Sequence, residues 1–170
     1  MHILLATDAD WIVNEVTAAL GGPDTSFTVC RSGHVVSKTV AAREPDVVIA
    51  DLQVGSMGGM AITMALRLDE SSGALPHVPV VMLLDRVADV YLAQRSDAEA
   101  WLVKPLDSLR LRRAVSAAIA GESYHEGVPV APAEPTDDPG DADSDADPDA
   151  DDAGVGEDPA TAEEEPANAG

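Results

Sequence analysis

Apolar runs and amphipathic stretches alternate along the first 120 residues. The run "ILLA" at 3–6 reads as a strand. Ile12, Val13, Val16 and Leu20 then share one face of a helix, which Gly21-Gly22-Pro23 stops. "FTVC" at 27–30 alternates as a strand does, and 34–43 reads as a helix ending before Pro45. "DVVIAD" at 46–51 is a third strand, followed by a helix over 59–69 with Met60, Met64 and Leu68 on one side. "PVVMLL" at 79–84 is a fourth strand and Val87 to Arg95 a short helix. "AWLV" at 100–103 is the fifth strand. A last helix runs from Leu106 to Ala120, with Leu109, Leu111, Ala114, Val115, Ala118 and Ile119 expected inward and Gly121 as its stop.

The pattern is β-α repeated five times. Strands that are apolar almost throughout are covered on both faces, which predicts a parallel sheet between two layers of helices. Right-handed crossovers leave few topologies, of which the flavodoxin-like (βα)5 three-layer sandwich, sheet order 2-1-3-4-5, is commonest at this size. In such sheets chemistry sits at the carboxyl ends of the strands. The residues there are Asp8, Arg31, Asp51, Leu84–Asp85 and Lys104.

Charge divides the chain. All ten Lys and Arg lie between Arg31 and Arg113. Residues 1–121 carry fourteen acids against these ten bases, a net charge of −4. Residues 122–170 carry seventeen acids and no base, a net charge of −17. From Val128 onward Pro, Ala, Asp, Glu and Gly dominate, and no aromatic residue follows Tyr124. Such a segment buries too little apolar surface to offset chain entropy, so 1–121 reads as the folded domain and 122–170 as a disordered acidic tail. The single cysteine, Cys30, excludes an internal disulfide and reads as an inert core thiol. No run approaches membrane-spanning length and the first residues do not read as a signal peptide, so a cytoplasmic location is expected.

Asp8, Asp51 and Lys104 follow the first, third and fifth strands, which neighbour one another closely enough for the side chains to converge. Two carboxylates suit Mg²⁺, a lysine opposite neutralises a phosphoryl group, and a carboxylate in that setting is a possible phosphoryl acceptor. With "ILLATD", "PDVVIADLQVGSMGG", "PVVML" and "WLVKPLD", residues 1–121 resemble the receiver domain of two-component response regulators. The resemblance implies that Asp51 is the phosphoacceptor, that Asp8 and the backbone carbonyl of Gln53 join Asp51 in binding Mg²⁺, and that Lys104 contacts the phosphoryl oxygens. It also implies a cis bond before Pro105, and it sets Trp101 at the aromatic switch position, where core packing is an equal reading.

Departures from the family pattern stand beside these matches. The first acid of the metal-binding pair is Thr7 here, with Asp10 a partial replacement. The position that carries a switch hydroxyl is Leu84. The next position, small in the family, is Asp85, a charge that repels an incoming phosphate. Gly55 replaces the usual proline and predicts a looser loop.

Other features carry less. Gly55, Gly58 and Gly59 lack the spacing and the lysine of a phosphate-binding loop. His34 and His77 have no spaced partners, and Trp11 reads as packing at the start of the first helix. Acids between Asp141 and Asp152 imitate a calcium loop, but Ala146 stands where the turn needs glycine. The expectation is a stand-alone receiver that takes phosphate on Asp51 from a histidine kinase or phosphotransfer protein. It would signal to a downstream protein through a face holding Tyr91, Arg95, Trp101, Arg110 and Arg113, without binding DNA or membrane. The alternative is a phosphorylation-independent interaction module on a degenerate receiver fold.

Overall fold

Each of the five strands expected from the apolar pattern is present in the computed structural model and ends on the residue where that pattern ends it. The structure describes residues 1–127. Strands β1 (His2–Ala6), β2 (Ser26–Cys30), β3 (Val47–Asp51), β4 (Val80–Leu84) and β5 (Ala100–Val103) alternate with helices α1 (Asp10–Leu20), α2 (Val36–Arg43), α3 (Gly59–Ser71), α4 (Val90–Ser96) and α5 (Ser108–Ile119). A turn of 3₁₀ helix leads into both α2 and α4. The strands are parallel, and their order is the expected 2-1-3-4-5 with one strand, β6 (Tyr124–His125), added beyond β5.

Period-two alternation sends successive strand residues to opposite faces. Leu4, Val48, Ala50, Val80 and Met82 pack with Val36, Val40, Ile62 and Leu66 from α2 and α3. Ile3, Leu5, Ile49, Val81 and Leu83 pack with Ile12 and Val16 from α1 and Leu111 and Val115 from α5. Most of these side chains are fully buried, each contributing about 1.5–3 kcal/mol of transfer free energy. The inward stripe of α5 is narrower than expected. Leu111, Ala114, Val115 and Ala118 keep helical spacing and are buried, whereas Leu109 and Ile119 lie off that stripe and are exposed. On α3 Ile62 and Leu66 are buried and Met60 packs partly against the same core, whereas Met64 and Leu68 face solvent.

At the amino-terminal end of the sheet, Arg67 ties α3 to the strands. Its guanidinium donates to Glu99 at 2.7 Å and to the Val78 carbonyl at 3.2 Å, while Glu99 accepts the Val80 N–H at 2.6 Å. That end is closed by its own partners, and no buried side-chain polar atom among the described residues lacks one.

The folded part extends past Gly121, where the sequence reading ended it. Gly121 takes a φ of +74°, a left-handed turn that suits glycine, and the chain then lies along β5. Tyr124 pairs with Ala100 and His125 with Trp101. The His125 ring stacks on the Trp101 indole at 3.7 Å and 7°. Trp101 Nε1 donates to the Glu126 carbonyl at 2.8 Å. The Glu126 carboxylate accepts from Arg110 Nε at 2.6 Å and from the Val103 N–H at 3.0 Å. Gly127 sits against Val87 and Val90. A ring, one carboxylate and backbone pairing hold this strap, with little of the apolar content by which strands are recognised. The tail readings beyond it, disorder and the Asp141–Asp152 window, lie outside the described residues.

The strap's main ionic contact runs through the Glu126 carboxylate. Burial raises the Glu126 carboxyl, but hydrogen bonds and charge from Arg110 and the Val103 N–H outweigh it, and the net shift is downward. A lowered folded value means that the stabilisation is present above the unfolded value, about 4.3, and is lost as pH falls through the folded one. In a Trp11→Phe background, Trp101 emission is expected to change on acidification below about pH 4, and Glu126→Gln to show the detached signal already at pH 7. Matching profiles for the two chains would mean that the carboxylate does not hold the strap.

Candidate functional site

The carboxyl ends of β1, β3, β4 and β5 converge, and register decides what faces what. Ala6 pairs with Ala50, so Thr7 and Asp51 come next on neighbouring strands. Leu84 pairs with Val103, so Asp85 and Lys104 come next on the following pair. Asp51 and Thr7 are buried, at 2% and 0% exposure. The Thr7 hydroxyl donates to Asp51 Oδ2 at 2.9 Å, and its oxygen accepts the Ala9 N–H at 3.2 Å.

Lys104 reaches across β4. Its Nζ donates to Asp51 Oδ1 at 2.6 Å and to Asp85 Oδ1 at 2.8 Å. Burial alone lowers the ammonium's pKa, but the two carboxylates outweigh it and the net shift is upward. Lys104 is therefore held as a cation. Its N–H bonds the Leu84 carbonyl at 2.8 Å, and the Lys104–Pro105 bond is cis. Asp107 caps α5 by accepting the N–H groups of Leu109 and Arg110, which starts that helix at Ser108 rather than at Leu106.

Asp8 stands at the rim. Its Oδ2 accepts the Gly55 N–H at 3.1 Å, and a β-carbon on residue 55 would lie 3.0 Å from that oxygen. Gly55 also accepts the Gly33 N–H at 3.3 Å, so this loop is tied at the residue where it was expected to be loose. Gln53 donates its N–H to Asp51 Oδ1 at 3.3 Å. Asp10, read as a replacement acid, is exposed and paired with Arg31 at 2.6 Å. Among the described residues no group of three or more His, Cys, Asp or Glu is gathered as a metal cluster.

The two residues read as a switch are both buried, Leu84 at 0% and Trp101 at 2% exposure, in one core cluster. Leu84 offers no hydroxyl, and the strap covers Trp101. Arg110, placed on a docking face by the sequence reading, is held by Glu126, while Tyr91 is exposed beside Arg95. Trp11 does more than pack: it is 49% exposed, and Lys104 Nζ lies 5.7 Å from its ring centre. The sequence reading treated Asp85 as a repelling charge and missed its pairing with Lys104. The β4–β5 register carries that information, because both residues follow directly on a paired position.

Known proteins share this fold and family. Residues 3–116 match the family model described as the response regulator receiver domain. The chain is 27% identical over 120 residues to the protein PilH of Pseudomonas aeruginosa, covering 71% of this chain and 98% of that one. It is 31% identical over 98 residues to the regulatory protein LuxO of Vibrio cholerae, covering 56% of this chain and only 20% of LuxO. In fold it is similar to the receiver domain of the Pseudomonas aeruginosa sensor histidine kinase PA1611, solved with a magnesium ion in its active-site cleft. That match has a TM-score of 0.59 at 19% identity and covers 70% of this chain and 97% of that one. A parallel 2-1-3-4-5 sheet, acids and a lysine at its carboxyl edge, and a family match across residues 3–116 lead to one conclusion: this chain belongs to the response regulator receiver domain family.

Proposed function

We propose that the chain is a stand-alone cytoplasmic receiver of phosphorelay signalling. In this reading Asp51 takes a phosphoryl group from the phosphohistidine of a histidine kinase or phosphotransfer protein. The output passes through protein contacts, with no DNA or membrane bound. The observation that carries the reading is the 2.6 Å contact between Lys104 and Asp51 at the carboxyl edge of the sheet. An Asp51 oxygen attacks phosphorus, the P–N bond breaks, and the imidazole leaves with the bonding electron pair. Lys104 remains against the new aspartyl phosphate and offsets its charge. The Thr7 hydroxyl orients the carboxylate from its other oxygen.

The donor set fits a weakly held Mg²⁺. Asp8, Asp51 and the Gln53 carbonyl would hold it, all hard oxygen donors, with Thr7 leaving the set one carboxylate short. When bound, the ion supplies positive charge to the phosphoryl oxygens. Among the described residues no helix is long and apolar enough to cross a membrane.

A second reading, a phosphorylation-independent interaction module, is favoured by one observation: Lys104 already has Asp85 as a second anion at 2.8 Å. Intact-mass measurement after incubation with Mg²⁺ and acetyl phosphate separates the two. An adduct on the wild type and none on Asp51→Asn is the expected result. No adduct from acetyl phosphate or from candidate kinases would favour the interaction module.

Two further outcomes are expected. Thr7→Asp restores a second buried acid beside Asp51, so Mg²⁺ affinity rises about tenfold and the thermal midpoint becomes Mg²⁺-dependent; calorimetric titration and melting curves check this. Lys104→Met leaves Asp51 buried without its cation and costs about 3 kcal/mol in urea unfolding, partly recovered in Lys104→Met/Asp51→Ala.

A further inference from the structure

We propose that Asp85 is an internal anion that holds Lys104 in place of the phosphoryl group and so throttles phosphoryl acceptance at Asp51. The proposal rests on the reading of Asp51 as the acceptor. Three observations carry it. The β4–β5 register pairs Leu84 with Val103, so Asp85 and Lys104 each follow directly on the last paired position of neighbouring strands. Lys104 Nζ is shared between Asp51 at 2.6 Å and Asp85 at 2.8 Å, which uses two of its three N–H donors. The Asp85 side chain is 33% exposed while that of Asp51 is 3% exposed, so Asp85 occupies the solvent side of the ammonium.

An arriving phosphoryl group meets Asp85 before it reaches Asp51. Its oxygens must take Lys104 from a carboxylate that already satisfies it. Conversion of the Asp51 carboxylate to an aspartyl phosphate also adds negative charge within reach of Asp85, and like charges at this range oppose each other strongly. Leu84, the residue before Asp85, offers no hydroxyl to compensate. Asp85 is thus a positioning residue that acts through Lys104, and it grades how readily the site fills.

The test uses the full chain with wild type, Asp85→Asn, Asp85→Ala and the charge-keeping Asp85→Glu. The first readout is the rate of adduct formation with acetyl phosphate and Mg²⁺. The second is calorimetric binding of beryllofluoride with Mg²⁺, a phosphoryl analogue that needs no leaving group. The third is the NMR titration of the Lys104 ε-methylene, which a purely structural role would not move. Asp85→Asn and Asp85→Ala are expected to gain about tenfold in adduct rate and in beryllofluoride affinity, with the Lys104 titration moving downward as one of its two anions is lost. Asp85→Glu should stay close to wild type. Adduct rates, beryllofluoride affinity and Lys104 titration all unchanged in the neutral variants would overturn the role of Asp85, and an Asp51-dependent adduct in the same samples would leave the acceptor reading standing. Tighter beryllofluoride binding with a shifted Lys104 but no adduct on any variant, from acetyl phosphate or from candidate kinases, would leave Asp85 as the anion holding Lys104 but overturn its throttling of Asp51, because the acceptor reading itself would have failed. A neutral variant that loses its cooperative melt is replaced by the other, because the two differ in the hydrogen bonding that Asn retains.

Discussion

One ammonium between two carboxylates governs the working edge of this molecule. Lys104 spans the end of β4 to reach Asp51 on one side and Asp85 on the other. A buried acid is costly unless paired, and Asp51 is paired by that cation, by the Thr7 hydroxyl and by the Gln53 N–H. The parallel sheet makes the arrangement possible, since it delivers the tips of β1, β3, β4 and β5 to the same edge. The opposite edge is sewn shut by Arg67 and Glu99, so the exposed chemistry is gathered at one end. Shape and charge are thus linked: the fold brings Asp51 and Asp85 to one edge, where they share the Lys104 cation.

That linkage explains which parts could be read from the chain. The five β-α units are legible because each strand is apolar throughout and each helix has a clean stop. Asp8, Asp51 and Lys104 are legible because they are the polar residues that end such strands. The Asp85–Lys104 contact needs one more step, the pairing of Leu84 with Val103, which follows only after strand order and register are known. Asp10 shows the converse limit. Proximity in sequence suggests it as a replacement for the missing acid, but Arg31, twenty-one residues away, captures it at the surface.

The strap was illegible for a different reason. Residues 122–127 read "ESYHEG", with one aromatic side chain and no aliphatic run. Their affinity for the sheet lies in complementarity to residues far back in the chain: Trp101 for the His125 ring and the Glu126 carbonyl, Arg110 and the Val103 N–H for the Glu126 carboxylate. Hydrophobic pattern cannot register an element whose hold comes from partners sixteen to twenty-five residues away. The same complementarity changes the meaning of Trp101. The ring that the resemblance sets at a switch position, with core packing an equal reading, is stacked, hydrogen-bonded and covered, with Leu84 buried in the same core cluster.

The added strand also bears on how the molecule keeps to itself. A parallel sheet ending at β5 would present the backbone N–H and C=O groups of Ala100–Val103 as a template for a strand from another molecule. Tyr124 and His125 occupy the start of that row, and the Glu126 side chain takes the Val103 N–H where backbone pairing stops. A charged side chain at the end of the ladder makes that end a poorer template for a stray strand. Residues 122–127 therefore cover part of the β5 edge, the kind of open row through which sheets pair with one another as protein concentration rises.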